Sequence, residues 1–124
     1  MKKKILLVED AKSLREWLKL PLEYANYEVI EAMDGLEALG LFGETDFDLI
    51  ITDFDMPNLN GIEWILMAKQ RFSKKIPPTL VLTNHSIQKN EVKKYSFFHC
   101  IEKPLLLDKI LSKVDFLMTT FDIT

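Results

Sequence analysis

The sequence predicts an α/β fold, in which helices cover both faces of a five-stranded parallel sheet. Five short apolar runs alternate with segments of helical periodicity, and units of this length and order favour parallel strand pairing. Several of these runs stop at acidic, hydroxyl or lysine side chains, as strands do at the carboxyl edge of such a sheet. With 124 residues, 48% of them hydrophobic, the chain is expected to form one domain over residues 1–124.

Strand 1 is predicted over residues 4–9, an apolar run that ends at an acid. The helix after it carries Leu14, Trp17 and Leu18 on one face, at the spacing of an amphipathic helix. Pro21 has no backbone N–H to donate, so we expect it to kink or shorten this helix.

Strand 2 is predicted over residues 28–32, and the next helix begins at Asp34. The short carboxylate of aspartate is a favoured N-cap because it accepts hydrogen bonds from the first free backbone N–H groups. Helical spacing predicts that Leu36, Leu39 and Phe42 face the core.

Strand 3 is predicted over residues 49–53, an apolar run that ends at a carboxylate. A segment with proline and glycine follows, as is typical of a loop at a sheet edge. Helix 3 is predicted over residues 61–72, with Ile62, Ile65 and Leu66 as its apolar positions.

The remaining elements are two strands and two helices. Strand 4 is predicted over residues 79–83 and strand 5 over residues 98–102. Between them, helix 4 over residues 87–95 is short and polar. Helix 5 is predicted over residues 106–118, and its inward positions are Ile110, Leu111, Val114 and Leu117.

Composition restricts the classes of function. The net charge is −3 and the pI about 5.4, so no direct binding to nucleic acid is expected. The lysines at residues 2–4 precede too few apolar residues for a signal peptide, and no run reaches the ~20 apolar residues of a membrane span. The single cysteine, Cys100, excludes an internal disulfide. A cytoplasmic protein without membrane insertion is predicted.

Three acids end two strands that are predicted to be neighbours: Glu9 and Asp10 after strand 1, and Asp53 at the end of strand 3. Carboxylates at close range repel one another, and a hard divalent cation such as Mg²⁺ relieves that repulsion through oxygen ligands. Taken singly, Glu9 and Asp10 could merely cap helix 1, and Asp53 could be a loop acid. Their joint placement at strand ends favours a metal site.

A hydroxyl and a lysine are predicted at the same edge. Thr83 ends strand 4 and could donate a hydrogen bond to an oxyanion, although a β-branched residue is also ordinary in a strand. Lys103 follows strand 5 and could neutralise a phosphoryl oxygen or pair with Asp53. Pro104 fixes the turn that aims this lysine, which sets it apart from a plain surface lysine.

Together these residues resemble the receiver domain of bacterial two-component response regulators, over essentially the whole chain. No single motif is specific to this family, but the order and spacing of the motifs along the chain are. The matching segments are residues 6–10, 34–39, 48–53, 56–61, 81–83 and 103–104.

The resemblance implies a flavodoxin-like (βα)5 fold with strand order 2-1-3-4-5. It implies that Asp53 accepts a phosphoryl group from a sensor histidine kinase or a phosphotransfer protein. It also implies a cofactor, Mg²⁺ or alternatively Mn²⁺, held by Asp10 directly, by Glu9 through water, by Asp53 and by the backbone carbonyl of Asp55.

The resemblance implies that Thr83 and Lys103 bind the phosphoryl oxygens, and that the Lys103–Pro104 bond is cis. The surface of helix 4, strand 5 and helix 5 would then change and signal to a downstream protein or an output domain. Such a protein catalyses only its own aspartyl phosphorylation and dephosphorylation. A monomer or weak dimer is expected.

Two departures from the family leave other hypotheses open. Cys100 stands where the family usually has an aromatic ring, and the stretch between Thr83 and Lys103 is about two residues short. We expect Cys100 to be a nearly passive buried residue and His85 a surface residue. One alternative is a pseudo-receiver that only binds proteins. Another is a haloacid-dehalogenase-type phosphatase, because Asp53-Phe54-Asp55 matches its nucleophile motif.

Overall fold

The computed structural model describes residues 2–84, 86–95 and 98–122. Strands and helices alternate strictly through this part of the chain. The strands are β1 (Lys4–Val8), β2 (Glu28–Ala32), β3 (Leu49–Asp53), β4 (Thr79–Thr83) and β5 (Phe98–Glu102). The helices are α1 (Lys12–Tyr24), α2 (Gly35–Glu44), α3 (Gly61–Arg71), α4 (Ser86–Lys93) and α5 (Leu107–Asp122).

The strands form one parallel sheet in the order β2-β1-β3-β4-β5, so the predicted fold class and strand order are confirmed. All the connections are β-α-β crossovers, which place the carboxyl ends of the strands along one edge. In the register, Val8 lies opposite Thr52, and Asp53 lies opposite Leu82. The polar residues at the ends of β3 and β4, and those just after β1, are therefore neighbours.

Two hydrophobic layers hold the helices against the sheet. One layer lies under α1 and α5, and the other lies under α2, α3 and α4, with Val92 as the buried apolar contact of α4. Because both faces are covered, β3 and β4 are buried along their whole length. The fully buried helical residues in the first layer include Leu18, Ile110, Val114 and Leu117.

Two helix-face predictions were wrong. Trp17 is 41% exposed and Leu36 is 55% exposed. In α1 the buried residues are Leu18 and Leu22, one turn apart, and Trp17 lies about 100° around the helix from that stripe. In α2 the buried residues are Gly35, Ala38, Leu39 and Phe42, and Leu36 lies about 100° around the helix from Gly35, at the edge of that stripe.

Pro21 does not end α1, which continues to Tyr24. The proline removes one backbone donor, but its own carbonyl still accepts from the Ala25 N–H at 3.0 Å. Burial of Leu22 in the core keeps the last turn helical.

Side-chain caps fix where α2 and α3 begin. Asp34 Oδ1 accepts from the Glu37 N–H at 2.8 Å, which confirms Asp34 as the N-cap of α2. Asn60 caps α3 in a reciprocal capping box with Glu63, a signal that the sequence analysis missed. No helix in the described part of the chain is long and apolar enough to cross a membrane.

Candidate functional site

The strand ends that carry the predicted site residues are joined by backbone hydrogen bonds beyond the sheet register. The Phe54 N–H donates to the Leu82 carbonyl at 2.9 Å, and the Lys103 N–H donates to the Thr83 carbonyl at 2.7 Å. These bonds fix the spacing between the ends of β3, β4 and β5. The side chains at this carboxyl edge of the sheet are therefore held in fixed relative positions by the backbone.

Glu9, Asp10 and Asp53 form one cluster. Each offers a carboxylate oxygen, and these oxygens lie within 4.8 Å of one another. Glu9 is 1% exposed and Asp53 is 4% exposed, whereas Asp10 is exposed. Glu9 and Asp53 thus form the buried part of the cluster, and solvent reaches the cluster at Asp10.

Lys103 reaches the same cluster. Its Nζ lies 3.1 Å from Asp53 Oδ1, an ion pair in which the lysine side chain is 24% exposed and the aspartate 6% exposed. The Lys103–Pro104 bond is cis, as the resemblance implied. The Asp53 carboxylate therefore lies between the Lys103 ammonium and the carboxylates of Glu9 and Asp10.

The buried acids include a carboxylate oxygen, Glu9 Oε1, that has no hydrogen-bond donor among the residues that the structure describes. Glu9 Oε2 accepts from the Ala11 N–H at 2.9 Å. Asp53 Oδ1 is also buried, and its nearest cation is Lys103 Nζ, at 3.1 Å. Buried carboxylate oxygens need a partner, so this donor set fits a hard divalent cation.

Burial, with smaller contributions from the neighbouring Asp10 and Asp53, raises the pKa of Glu9 to about 8, against the lowering effect of the hydrogen bond from Ala11. Burial also raises the pKa of Asp53, while Lys103 opposes that shift. Of the two, Asp53 has the cation beside it. With a pKa of about 8, Glu9 holds its proton at neutral pH without metal, whereas Lys103 favours the ionised form of Asp53.

These pKa shifts predict how stability depends on pH without metal. The folded form binds the Glu9 proton more tightly than the unfolded form, so stability is lost as pH rises from about 4.5 towards about 8. One such group contributes a slope of at most about 1.4 kcal/mol per pH unit. Glu9→Gln should flatten the slope, measured by urea unfolding in EDTA at several pH values. The exposed Glu44→Gln is the control, and equal slopes for wild type and Glu9→Gln would contradict the expectation.

Thr83 ends β4, the neighbour of β3, and Cys100 lies in the middle of β5, opposite Val81. Thr83 is fully buried, and its hydroxyl donates to the Ile101 carbonyl at 3.4 Å rather than to Asp53. Cys100 is partly buried and packs against the same hydrophobic layer as Phe98. The structure thus places Thr83 beside the site but turned towards β5. The expectation for His85 lies outside the described residues.

The side chain of Asp55 is not part of the acid cluster. It is exposed and accepts hydrogen bonds from Asn84 and Gln88. The metal ligand expected from this residue was its backbone carbonyl, and that expectation stays a prediction. Gln88 was missed by the sequence analysis, because a glutamine in a short polar helix carries no signal of its own.

Two other supporting residues were also missed. Arg15 Nη1 donates to the Glu9 carbonyl at 2.8 Å and holds the end of β1. Trp64 is fully buried, and its indole N–H donates to Thr52 Oγ1 at 3.2 Å. The Thr52 hydroxyl in turn donates to the Asp53 carbonyl at 3.1 Å. The position of Trp64 on an amphipathic helix predicts that its ring is buried. It does not predict the hydrogen bond from its indole N–H to Thr52.

Gly61 is the point where α3 approaches the backbone of Asp53. Its N–H donates to the Phe54 carbonyl at 2.8 Å, and a Cβ here would overlap the Asp53 carbonyl oxygen. The obstacle is backbone, which cannot move aside as a flexible side chain does. Residue 61 therefore has to be glycine, because the α3 backbone comes too close to the Asp53 carbonyl to leave room for a Cβ.

Gly61→Ala should destabilise the protein by about 1–3 kcal/mol, the usual effect of overpacking. Gly40 is the matched control, because a Cβ there would meet nothing within 4 Å. Gly40→Ala should be neutral or stabilise by up to about 1 kcal/mol, since alanine favours the helix. Thermal unfolding of both variants tests this, and equal melting temperatures would contradict it.

Comparison of the sequence with known proteins finds one family and several similar proteins. The family model described as the response regulator receiver domain matches residues 5–115. The response regulator ArlR of Staphylococcus saprophyticus is 31% identical over 113 residues, which is 90% of this chain and 50% of that protein. The chain thus spans about half the length of this relative.

Solved structures agree with the sequence matches. The chemotaxis protein CheY4 of Vibrio cholerae has a TM-score of 0.85 and 31% identity, covering 94% of this chain and 99% of that one. The response regulator TrrA of Thermotoga maritima, solved in complex with Mg(2+)-BeF, has a TM-score of 0.81 and 31% identity. That match covers 93% of this chain and 98% of the other.

Proposed function

This chain belongs to the family of response regulator receiver domains, and we propose that Asp53 is its phosphoryl acceptor. Receiver domains are signalling modules of two-component systems that are switched by phosphorylation. The observation that carries the proposal is the surroundings of Asp53. A single buried carboxylate at the end of β3 lies against Lys103 on one side and against Glu9 and Asp10 on the other.

The reaction follows from these surroundings. A carboxylate oxygen of Asp53 attacks the phosphorus of a phosphodonor, and the bond from phosphorus to the donor's nitrogen or oxygen breaks as the new bond forms. The leaving group takes the electron pair of the broken bond. Lys103 is already beside Asp53 and neutralises one oxygen of the transferred group.

The acid cluster supports a Mg²⁺ site, with Mn²⁺ as an alternative ion. Asp10, Asp53 and the backbone carbonyl of Asp55 would hold the ion, and Glu9 would contact it through water. The unpartnered Glu9 Oε1 and the close approach of the three acids favour this assignment. When bound, the ion supplies positive charge for the phosphoryl oxygens. The chain's own contribution is to hold the three acids close together at the ends of β1 and β3.

The output is proposed to pass through Thr83. Its hydroxyl now donates to β5, and a phosphoryl group on Asp53 would offer it a stronger, charged acceptor. Movement of Thr83 would change the surface of α4, β5 and α5. Receiver domains take phosphoryl groups from histidine kinases and signal to output domains. We propose that this chain likewise takes its phosphoryl group from a histidine kinase or a phosphotransfer protein, and that it acts in the cytoplasm.

Phosphorylation of the purified protein with acetyl phosphate tests the proposal. Intact-mass spectrometry should show one added phosphoryl group in the presence of Mg²⁺ and none with EDTA. Peptide mapping should place the group on Asp53. Labelling that is equal with and without the divalent ion, or that maps to another residue, would contradict the assignment. A protein that is never labelled would favour the pseudo-receiver alternative.

A further inference from the structure

Three polar side chains outside the acid cluster join the loop after β3 to α4. Gln88 Nε2 and Asn84 Nδ2 both donate to Asp55 Oδ2, each at 2.6 Å. The backbone N–H of Asn84 donates to Gln88 Oε1, also at 2.6 Å. We call this closed ring of Asp55, Asn84 and Gln88 the clasp.

The clasp is stronger than an ordinary surface contact. Asp55 Oδ2 is a carboxylate acceptor, and hydrogen bonds to charged acceptors are stronger than neutral ones. Gln88 is only 6% exposed, and the clasp uses both ends of its amide. Opening the clasp would leave a buried amide without partners, which carries the full desolvation cost of that group.

The position of the clasp connects it to the reaction. Asp55 is two residues after Asp53, and Asn84 directly follows Thr83. The clasp therefore ties the loop of the phosphoryl acceptor to the segment that carries Thr83, and to the first turns of α4. For Thr83 to leave the Ile101 carbonyl and approach Asp53, this segment has to shift.

We propose that Gln88 is a positioning residue that, through the clasp, holds Thr83 and α4 in the unphosphorylated arrangement; this inference rests on the proposed function of Asp53. A phosphoryl group on Asp53 brings negative charge close to the Asp55 carboxylate, and like charges repel. Its oxygens also compete for the amide donors of Asn84 and Gln88. Phosphorylation therefore opens the clasp and releases α4.

NMR on the wild-type protein, with Mg²⁺ and with or without the phosphoryl mimic beryllofluoride, tests the first part. In the free form the Asn84 backbone amide should be protected from hydrogen exchange. On binding of the mimic that protection should be lost, and the side-chain amide signals of Asn84 and Gln88 should shift. Unchanged protection and unchanged side-chain signals in the bound form would overturn the inference.

Gln88→Met tests the second part, because methionine keeps the length and volume of glutamine but cannot form the clasp. Beryllofluoride should bind the variant about tenfold more tightly than wild type, since the mimic no longer has to break the clasp. Binding of Mg²⁺ alone should be unchanged. Asn90→Leu, which removes an exposed amide from the same helix, should leave the affinity for the mimic at the wild-type value.

The outcomes separate this inference from the proposed function. If wild type binds the mimic but Gln88→Met binds it equally or more weakly, the clasp does not oppose switching and the inference is overturned. If Asn90→Leu tightens binding as much as Gln88→Met, the effect is general to α4 and the inference is also overturned. If wild type fails to bind the mimic at all, the proposed function falls and this inference with it.

Discussion

Asp53→Asn should lower phosphorylation by acetyl phosphate about 100-fold or more, as expected when the nucleophile itself is removed. Asparagine has the same shape, but its amide does not attack phosphorus at a useful rate. The fold should be preserved. Burial raises the pKa of Asp53, so the folded protein disfavours the ionised carboxylate, and the variant should be no less stable than wild type at pH 8 without metal.

Intact-mass spectrometry and urea unfolding measure the two parts of this prediction. Asp115→Asn is the matched control, because it makes the same chemical change at an exposed position of α5. The control should label like wild type. Labelling of Asp53→Asn at the wild-type level would show that the phosphoryl group goes elsewhere. Loss of labelling together with loss of the folded state would show only a structural role.

The strands were predictable from the sequence because their environment is uniform. A strand covered by helices on both faces reads as a continuous apolar run, and its ends are marked by polar residues. The bounds of β3 and β4 agree with the prediction residue for residue. Strand 1 was predicted one residue too long, because Glu9 lies just beyond the sheet while its backbone still donates to the Ala32 carbonyl.

Helix faces were harder to predict. Periodicity locates an apolar stripe, but its centre depends on how the helix sits on the sheet. Trp17 and Leu36 lie at the margins of their stripes, and both are exposed. The N-cap at Asp34 was predictable, because a cap depends only on local backbone geometry.

The acid cluster was predictable because the β-α-β topology brings strand ends together, whatever the loops do. Glu9, Asp10 and Asp53 meet for that reason. The clasp was not predictable, because it joins Asp55 to a glutamine 33 residues away through two loops. The orientation of Thr83 was also beyond the sequence, since a hydroxyl can turn to either neighbour.

The absence of an aromatic ring at Cys100 gives the clasp added importance. A small, partly buried thiol offers little difference in contacts between two states, and a switch needs such a difference. The clasp would provide one, since by the inference above its hydrogen bonds belong to the unphosphorylated arrangement only. The expectation that Cys100 is nearly passive stays a prediction and agrees with signalling through α4.

Asp10→Ala should weaken Mg²⁺ binding between about tenfold and 100-fold. Asp10 is the exposed member of the acid cluster, so it offers the ion a charged oxygen at the open side without first being desolvated. Removing it also lessens the repulsion among the acids, and the metal-free variant should be at least as stable as wild type.

Calorimetric titration with Mg²⁺ measures the affinity, and fluorescence of the buried Trp64 in a Trp17→Phe background gives a second signal. Asp55→Asn is the informative comparison, because it removes a side-chain charge while keeping the backbone carbonyl that is proposed as a ligand. We expect it to weaken binding much less than Asp10→Ala does. If the two variants lose the same factor in Mg²⁺ affinity, the affinity depends only on the net charge near the site and not on direct coordination by Asp10. If Asp10→Ala binds as wild type does, the ion is held elsewhere, and the close approach of the three acids needs another explanation.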